Sequence, residues 1–376
     1  MPQPLRLILT AGLSVLAACA SGTGPTPSSS PMPDARTPTN PNAGPAPLVT
    51  TTWPLATREH LDLWLHAYAL VMPDSTLVPY FDRGYRNRML ELRRERNVTS
   101  ALDANRTRLR ERLALNPALA TAGQFLPLYV GSWDQLRQAI DLAVRTNGNP
   151  GAVSDPMSRQ YIQLIVSAFP TAADREWLRL FTASAGDESR VFYHAYWTAE
   201  SAAHARVVQH ADSLWQRIWR PALQRYLNNT QQQNGELYLS LPLGGEGRTV
   251  SFGKQQNAIA VPMPTSLDAS EVVLYVVAHE AAGALASASI ADNVTPAESR
   301  AGAVSRYEQS AAVRAGALLL ERVDPTAVAG YMRYYLQQAG RPAPTEPRGA
   351  FTTTFAIPDA VRSAIARQME VILGGI

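Results

Sequence analysis

The chain has 376 residues, of which 46% are hydrophobic and 17% charged, with a formal net charge of +3. That length buries one large core or two ordinary ones. So small a net charge, carried by scattered arginines with Lys254 as the only lysine, gives no electrostatic basis for binding nucleic acid, and a single cysteine excludes a disulfide framework.

At the N-terminus, Arg6 precedes an apolar run over residues 7–18. The run is too short to span a bilayer as a mature helix and suits the core of a signal peptide. It ends in Leu16-Ala17-Ala18-Cys19, which resembles the lipobox of bacterial lipoproteins. The resemblance implies that residues 1–18 are removed, that Cys19 is lipidated as the first residue of the mature chain, and that the acyl chains make the membrane a partner. Ala20 in place of an aspartate implies, by the same resemblance, an envelope location at the outer membrane facing the periplasm. Residues 19–52 are rich in Pro, Ser, Thr, Gly, Asn and Ala; they cannot bury enough apolar surface to offset their ordering entropy and predict a disordered tether.

A helical N-terminal region is expected over 53–185. Apolar residues at helical spacing predict helices over 57–71 and 74–96, followed by 102–115, 117–130 and 132–145. Residues 83–112 carry many arginines, but Glu91, Glu95, Asp103 and Glu111 are interleaved with them, which is the pattern of a solvated helix face. Asn-Gly-Asn-Pro-Gly within 146–156 predicts a loop. An apolar stretch at 161–169 and a helix over 171–184 complete the region. A long helix is expected over 191–229, with His194, Glu200, His204 and His210 beside Trp197, Trp215 and Trp219. Glu200 and His204 are four apart and can face one another.

The period then changes. Residues 236–243 alternate, and 248–252 and 257–261 are further short strands between Gly-rich turns. Three such strands cannot stand alone, so a small antiparallel sheet packed on the next helix is predicted. That helix covers 268–290; Asp268 three residues before Glu271 has the pattern of a capping box. His279-Glu280-Ala281-Ala282-Gly283 lies at its centre, and burying an imidazole and a carboxylate there costs several kcal/mol unless each finds a partner. A second long helix is expected over 296–323, with Thr295 as N-cap and Pro296 at its first position. It carries Glu298, Tyr307, Glu308 and the small residues Ala311, Ala312, Ala315, Gly316 and Ala317. Helices starting at 324–325 and 359 follow. The fold class is α+β, mainly α-helical.

Short strands, a helix with His-Glu and a second helix with a glutamate, in that order, resemble the core of the gluzincin zinc metallopeptidases, over roughly 191–323 and, as a domain, 186–376. HExxH on a helix sets two zinc-ligand histidines on one face beside a glutamate general base. The resemblance implies His279 as the first metal ligand, Glu280 as the catalytic general base, Glu308 as the third ligand, and a strand at 257–261 as the edge that pairs with a substrate peptide. Glu298, in the first turn of its helix, suits a capping role. Gly283 stands at the second histidine position and supplies no donor atom, so zinc as cofactor would rest on a degenerate site. Two readings follow. One is an envelope lipoprotein with a degenerate metallopeptidase-like domain, a pseudo-peptidase or weak metal-dependent hydrolase acting on peptide or protein. The other is a non-enzymatic binding or scaffold lipoprotein in which the His-Glu pair is a satisfied polar cluster.

Overall fold

The computed structural model describes residues 53–72, 81–82, 84–116, 119, 123–251 and 256–374. The expected signal peptide, Cys19 and the tether lie outside these residues, as do parts of the helices expected at 74–96 and 117–130.

Strand β1 (Leu55–Thr57) leads into helix α1 (Glu59–Val71). Helices α2 (Tyr85–Glu95), α3 (Ala101–Leu115), α4 (Trp133–Arg145) and α5 (Pro156–Ala168) follow. Local chemistry fixes three of their starts. The side chains of Ser100, Ser132 and Asp155 accept from the backbone N–H groups of Leu102, Gln135 and Ser158, satisfying donors that have no partner within the helix. Helix α6 (Ala172–Glu188), capped by Thr171, runs through a π-helical turn at Ser189–Tyr193 into α7 (His194–Leu214). A second π turn, Trp215–Trp219, leads into α8 (Arg220–Asn229). The division expected at 185/186 thus falls inside a continuous helical rod, and all the described residues belong to one compact unit.

Strands β2 (Gly235–Ser240), β3 (Arg248–Ser251) and β4 (Asn257–Pro262) precede the 21-residue helix α9 (Glu271–Ala291). A short helix α10 (Pro296–Arg300), the 21-residue α11 (Ala303–Val323), α12 (Val328–Gln338), α13 (Arg348–Thr354) and α14 (Asp359–Gly374) complete the fold. Thr295 and Glu298 form the capping box at α10. The single helix expected over 296–323 is broken at Gly302, whose φ of 79° lies in the left-handed region that favours glycine. The capping box expected from Asp268 does not form. Ser270 is the N-cap, without a side-chain cap bond, and the Glu271 carboxylate instead accepts from the Tyr275 hydroxyl.

The sheet is mixed rather than antiparallel. Its order is β1-β2-β4-β3, with β1 parallel to β2, β2 parallel to β4, and β3 antiparallel to β4. Strand β4 is central and wholly buried, so it is not the edge expected from the sequence. The cause is visible in the side chains. Leu237, Leu239, Ile259 and Val261 face one hydrophobic cluster with α9, α11 and α12, while Tyr238, Ala258 and Ala260 face another with the N-terminal helices. A strand covered on both faces suits parallel pairing, which needs helices on each side. The sheet is a wall between two cores, each fully buried Ile or Val on it contributing about 1.5–3 kcal/mol. Helix α9 is long and apolar enough to cross a membrane, yet it is largely buried, packed between this wall and α11.

Candidate functional site

His279 lies in the middle of α9, 7% exposed. Its ring stacks on Tyr335 of α12, with centroids 5.2 Å apart and planes 25° from parallel. Nδ1 lies 3.0 Å from Oε1 of Glu280, and Nε2 is buried without a hydrogen-bond partner among the described residues. Gly247, just before β3, packs against α9 at Glu280: a Cβ there would sit 2.7 Å from Cγ1 of Val276 and 3.2 Å from Cγ of Glu280. The preceding loop is held by Tyr334, whose hydroxyl donates to the Gly245 carbonyl at 3.1 Å, and by Gln309 of α11, whose amide donates to the Glu246 carboxylate.

Two carboxylates therefore act on one imidazole. Burial opposes a charged His279, but the hydrogen bond and charge of Glu280, with the charge of Glu246, outweigh it and hold the pKa above the usual imidazole value. Burial likewise opposes a charged Glu280, and the hydrogen bond and charge of His279, with Arg248 on β3, overcome it and lower its pKa. At Glu246 burial wins over His279 and Gln309, and its pKa is raised. The result is a buried imidazole–carboxylate pair in which each partner favours the charged form of the other, with the charge of a second acid, Glu246, reaching the imidazole. Such a cluster can hold and pass a proton.

Helices α9 and α11 form a tight antiparallel hairpin. A Cβ on Gly316 would stand 3.0 Å from Cα of His279. His279 is twelve residues before the end of α9 and Gly316 thirteen after the start of α11, as pairing back from the connection requires. Glu308 is eight residues nearer that connection than Gly316, about 12 Å along the axis at ~1.5 Å per residue. The His279 side chain leans toward the N-terminus of α9, away from that level. By this register Glu308 stands at another level of the hairpin than His279, and the second carboxylate whose charge reaches His279 is Glu246, which has no motif in the sequence. Gly283 faces open space, with no atom within 4 Å of a Cβ built on it. The close approach of the two helices depends instead on Gly316, where a Cβ would also meet the Tyr331 hydroxyl at 2.3 Å.

Among the described residues, no three His, Cys, Asp or Glu side chains come together to hold a metal ion. His279 offers Nε2, Gly283 offers nothing and Glu308 lies elsewhere, so the donor set does not fit a three-ligand zinc centre. Two histidines of the long helical rod have partners of their own: His194 Nδ1 with Glu59 at 2.9 Å, and His204 Nδ1 with the Glu200 backbone carbonyl at 2.8 Å. Glu246, Gln309 and Tyr335 were missed because a loop acid, an exposed amide and an apolar-face tyrosine have no motif; the flanking glycines of Gly244-Gly245-Glu246-Gly247 were the one local signal of close approach. Compared with protein-family models, with curated protein sequences and with solved structures, the chain matches none.

Proposed function

We propose that this chain is a lipid-anchored envelope protein whose folded part is a metallopeptidase-like binding domain without a working hydrolytic centre. It takes an extended polypeptide along the free edge of β3, beside the His279–Glu280 pair. The observation that carries the reading is the pairing of His279 with Glu280 next to an edge strand, in a place where neither Gly283 nor Glu308 completes a ligand set. The gluzincin resemblance assigns the peptide-binding edge to residues 257–261, which lie in central β4; the edge on that side of the sheet is β3, whose outer side has no partner strand among the described residues.

A second reading, a weak metal-dependent hydrolase, draws on one observation: the buried Nε2 of His279 has no hydrogen-bond partner among the described residues. Calorimetric zinc titration of the wild type and of Gly283→His separates the two. The binding-domain reading expects no tight stoichiometric zinc in the wild type, no zinc-dependent cleavage of casein peptides, and retention of those peptides that backbone N-methylation abolishes. Tight wild-type zinc with peptide cleavage overturns it. Open space at Gly283 lets the new histidine enter without overpacking, so the variant tests ligand supply rather than folding.

A further inference from the structure

A cleft of about 220 Å³ lies among α11, α12, α13 and α14, and its wall repeats one sequence device three times. Arg314, Ala317 and Leu318 on α11, Arg348, Phe351 and Thr352 on α13, and Arg362, Ile365 and Ala366 on α14 all line it. In each triplet the residues stand at i, i+3 and i+4, so an arginine and two smaller contacts share one helix face. Met332 and Ile357 complete an apolar floor, and Glu321 is the one carboxylate in the lining.

The charges do not cancel within the cleft. Arg348 pairs with Glu321 at 2.7 Å. Arg362 pairs at 2.8 Å with Asp359, which is 90% exposed and outside the lining. Arg314 is left with the Thr352 hydroxyl at 2.9 Å and the face of Phe351, its guanidinium carbon 5.7 Å from the ring centroid; among the described residues no carboxylate lies within ion-pair distance of it. Burial and the nearby charges of Arg362 and Arg348 press its pKa below the usual arginine value, against the pull of Glu321. A guanidinium held half-buried among its own kind gains from an anion that replaces lost water with paired hydrogen bonds.

The geometry points to a binding site in this cleft for a small organic carboxylate, its anionic end on Arg314 and its apolar body on Phe351, Met332 and Ile365. The volume is below the ~300–1,000 Å³ usual for drug-sized ligands, which limits the occupant to a short-chain acid or the C-terminal residue of a peptide. An inorganic anion would leave the apolar floor unused.

The test is calorimetric titration of the full-length protein with acetate, hexanoate, hexanamide, inorganic phosphate and the dipeptide acetyl-Gly-Leu as acid and as amide. Hexanoate is expected to saturate one site and to exceed acetate by about three- to fourfold per added methylene until the floor is covered. Hexanamide is expected to show no saturation. Arg314→Met keeps an apolar stem over Phe351 and should weaken hexanoate at least tenfold; Arg362→Gln, at the exposed rim, should weaken it less and keeps the test open if the first variant melts early. A dipeptide acid that binds as tightly as hexanoate, with its amide silent, identifies a chain end as the source; a silent dipeptide with binding hexanoate identifies a free acid. Equal binding of hexanoate and hexanamide, phosphate binding more tightly than hexanoate, undiminished binding in a folded Arg314→Met, or no saturation by either acid overturns the proposal.

Discussion

Asp62 on α1 is fully buried. Its Oδ2 accepts from Trp197 Nε1 at 2.9 Å and from the Leu241 N–H at 3.4 Å, and the Ser240 side chain lends the carboxylate a further hydrogen bond. Burial dominates and pushes its pKa from 3.8 up to about 7. The folded state therefore binds this proton more tightly than the unfolded state. The stability this gives is fully present below pH 3.8 and is lost as pH rises through about 7. At ~1.36 kcal/mol for each tenfold change in proton affinity, the difference across that window is roughly 4 kcal/mol. Asp62→Asn keeps the shape and an acceptor for Trp197 but never carries the charge. Urea unfolding of both proteins should give similar stabilities near about pH 4, and a variant more stable by up to roughly 4 kcal/mol near about pH 8. Using the difference between the two proteins cancels every other titrating group. Parallel curves, or a variant that is the weaker at high pH, would refute the reasoning by showing that Trp197 and Leu241 hold a charged carboxylate.

Three other outcomes follow from the same physics. His279, with a raised pKa, contributes stability that is full below 6.5 and lost as pH rises through its folded value; Glu280, with a lowered one, contributes stability that is full above 4.5 and lost as pH falls through its folded value. The cost of Glu280→Gln should therefore be greatest between those limits, about 3 kcal/mol for a buried pair broken on one side, as read by urea melts across the range. Gly316→Ala should destabilise by about 1–3 kcal/mol through overpacking, whereas Gly283→Ala, in open space within a helix, should stabilise by up to about 1 kcal/mol; thermal melts with opposite signs check the helix hairpin. Cys19→Ser should release the protein from membranes or block its processing, and unchanged membrane partitioning of that variant removes the lipoprotein expectation.

The long helices were legible because each carries its own signal. Period 3.6 marks their faces, Ser132 and Thr295 mark two of their starts, and Pro296 takes the first helical position. The sheet was legible only in part. Leu55 pairs with Leu237 across the whole N-terminal half of the chain, and no local pattern announces such a partner. Residues 257–261 were expected at the edge, yet β4 lies between β2 and β3, with Ile259 and Ala260 facing two different cores. Arg93 is another instance. Interleaved acids made its segment look solvated, but Glu188 and Asp103 draw its guanidinium into a buried network with Ser100. That buried arginine was hidden among the exposed ones, because its partner Glu188 comes from a helix far along the chain.

The site divides along the same line. His279 and Glu280 were visible because adjacent charged residues inside an apolar helix demand compensation. What compensates them was not visible, because it is three-dimensional: each largely satisfies the other, and Glu246 arrives on a loop that Gly247 allows to lie against α9. The sequence made Gly283 the conspicuous departure from a zinc site, and the hairpin register makes Glu308 a second one. Restoring a histidine at 283 alone would thus bring two imidazoles to one face of α9 while the carboxylate ligand remained about 12 Å along α11. Zinc affinity in Gly283→His should rise only to that of a two-histidine site. The level of α11 that faces His279 is occupied by Gly316, where a Cβ already meets Tyr331, so a carboxylate cannot be installed opposite without moving α12. Binding as tight in Gly283→His as in a complete three-ligand site would show that Glu308, or Glu246 from the loop, reaches the metal, and would overturn the pairing of Gly316 rather than Glu308 with the level of His279.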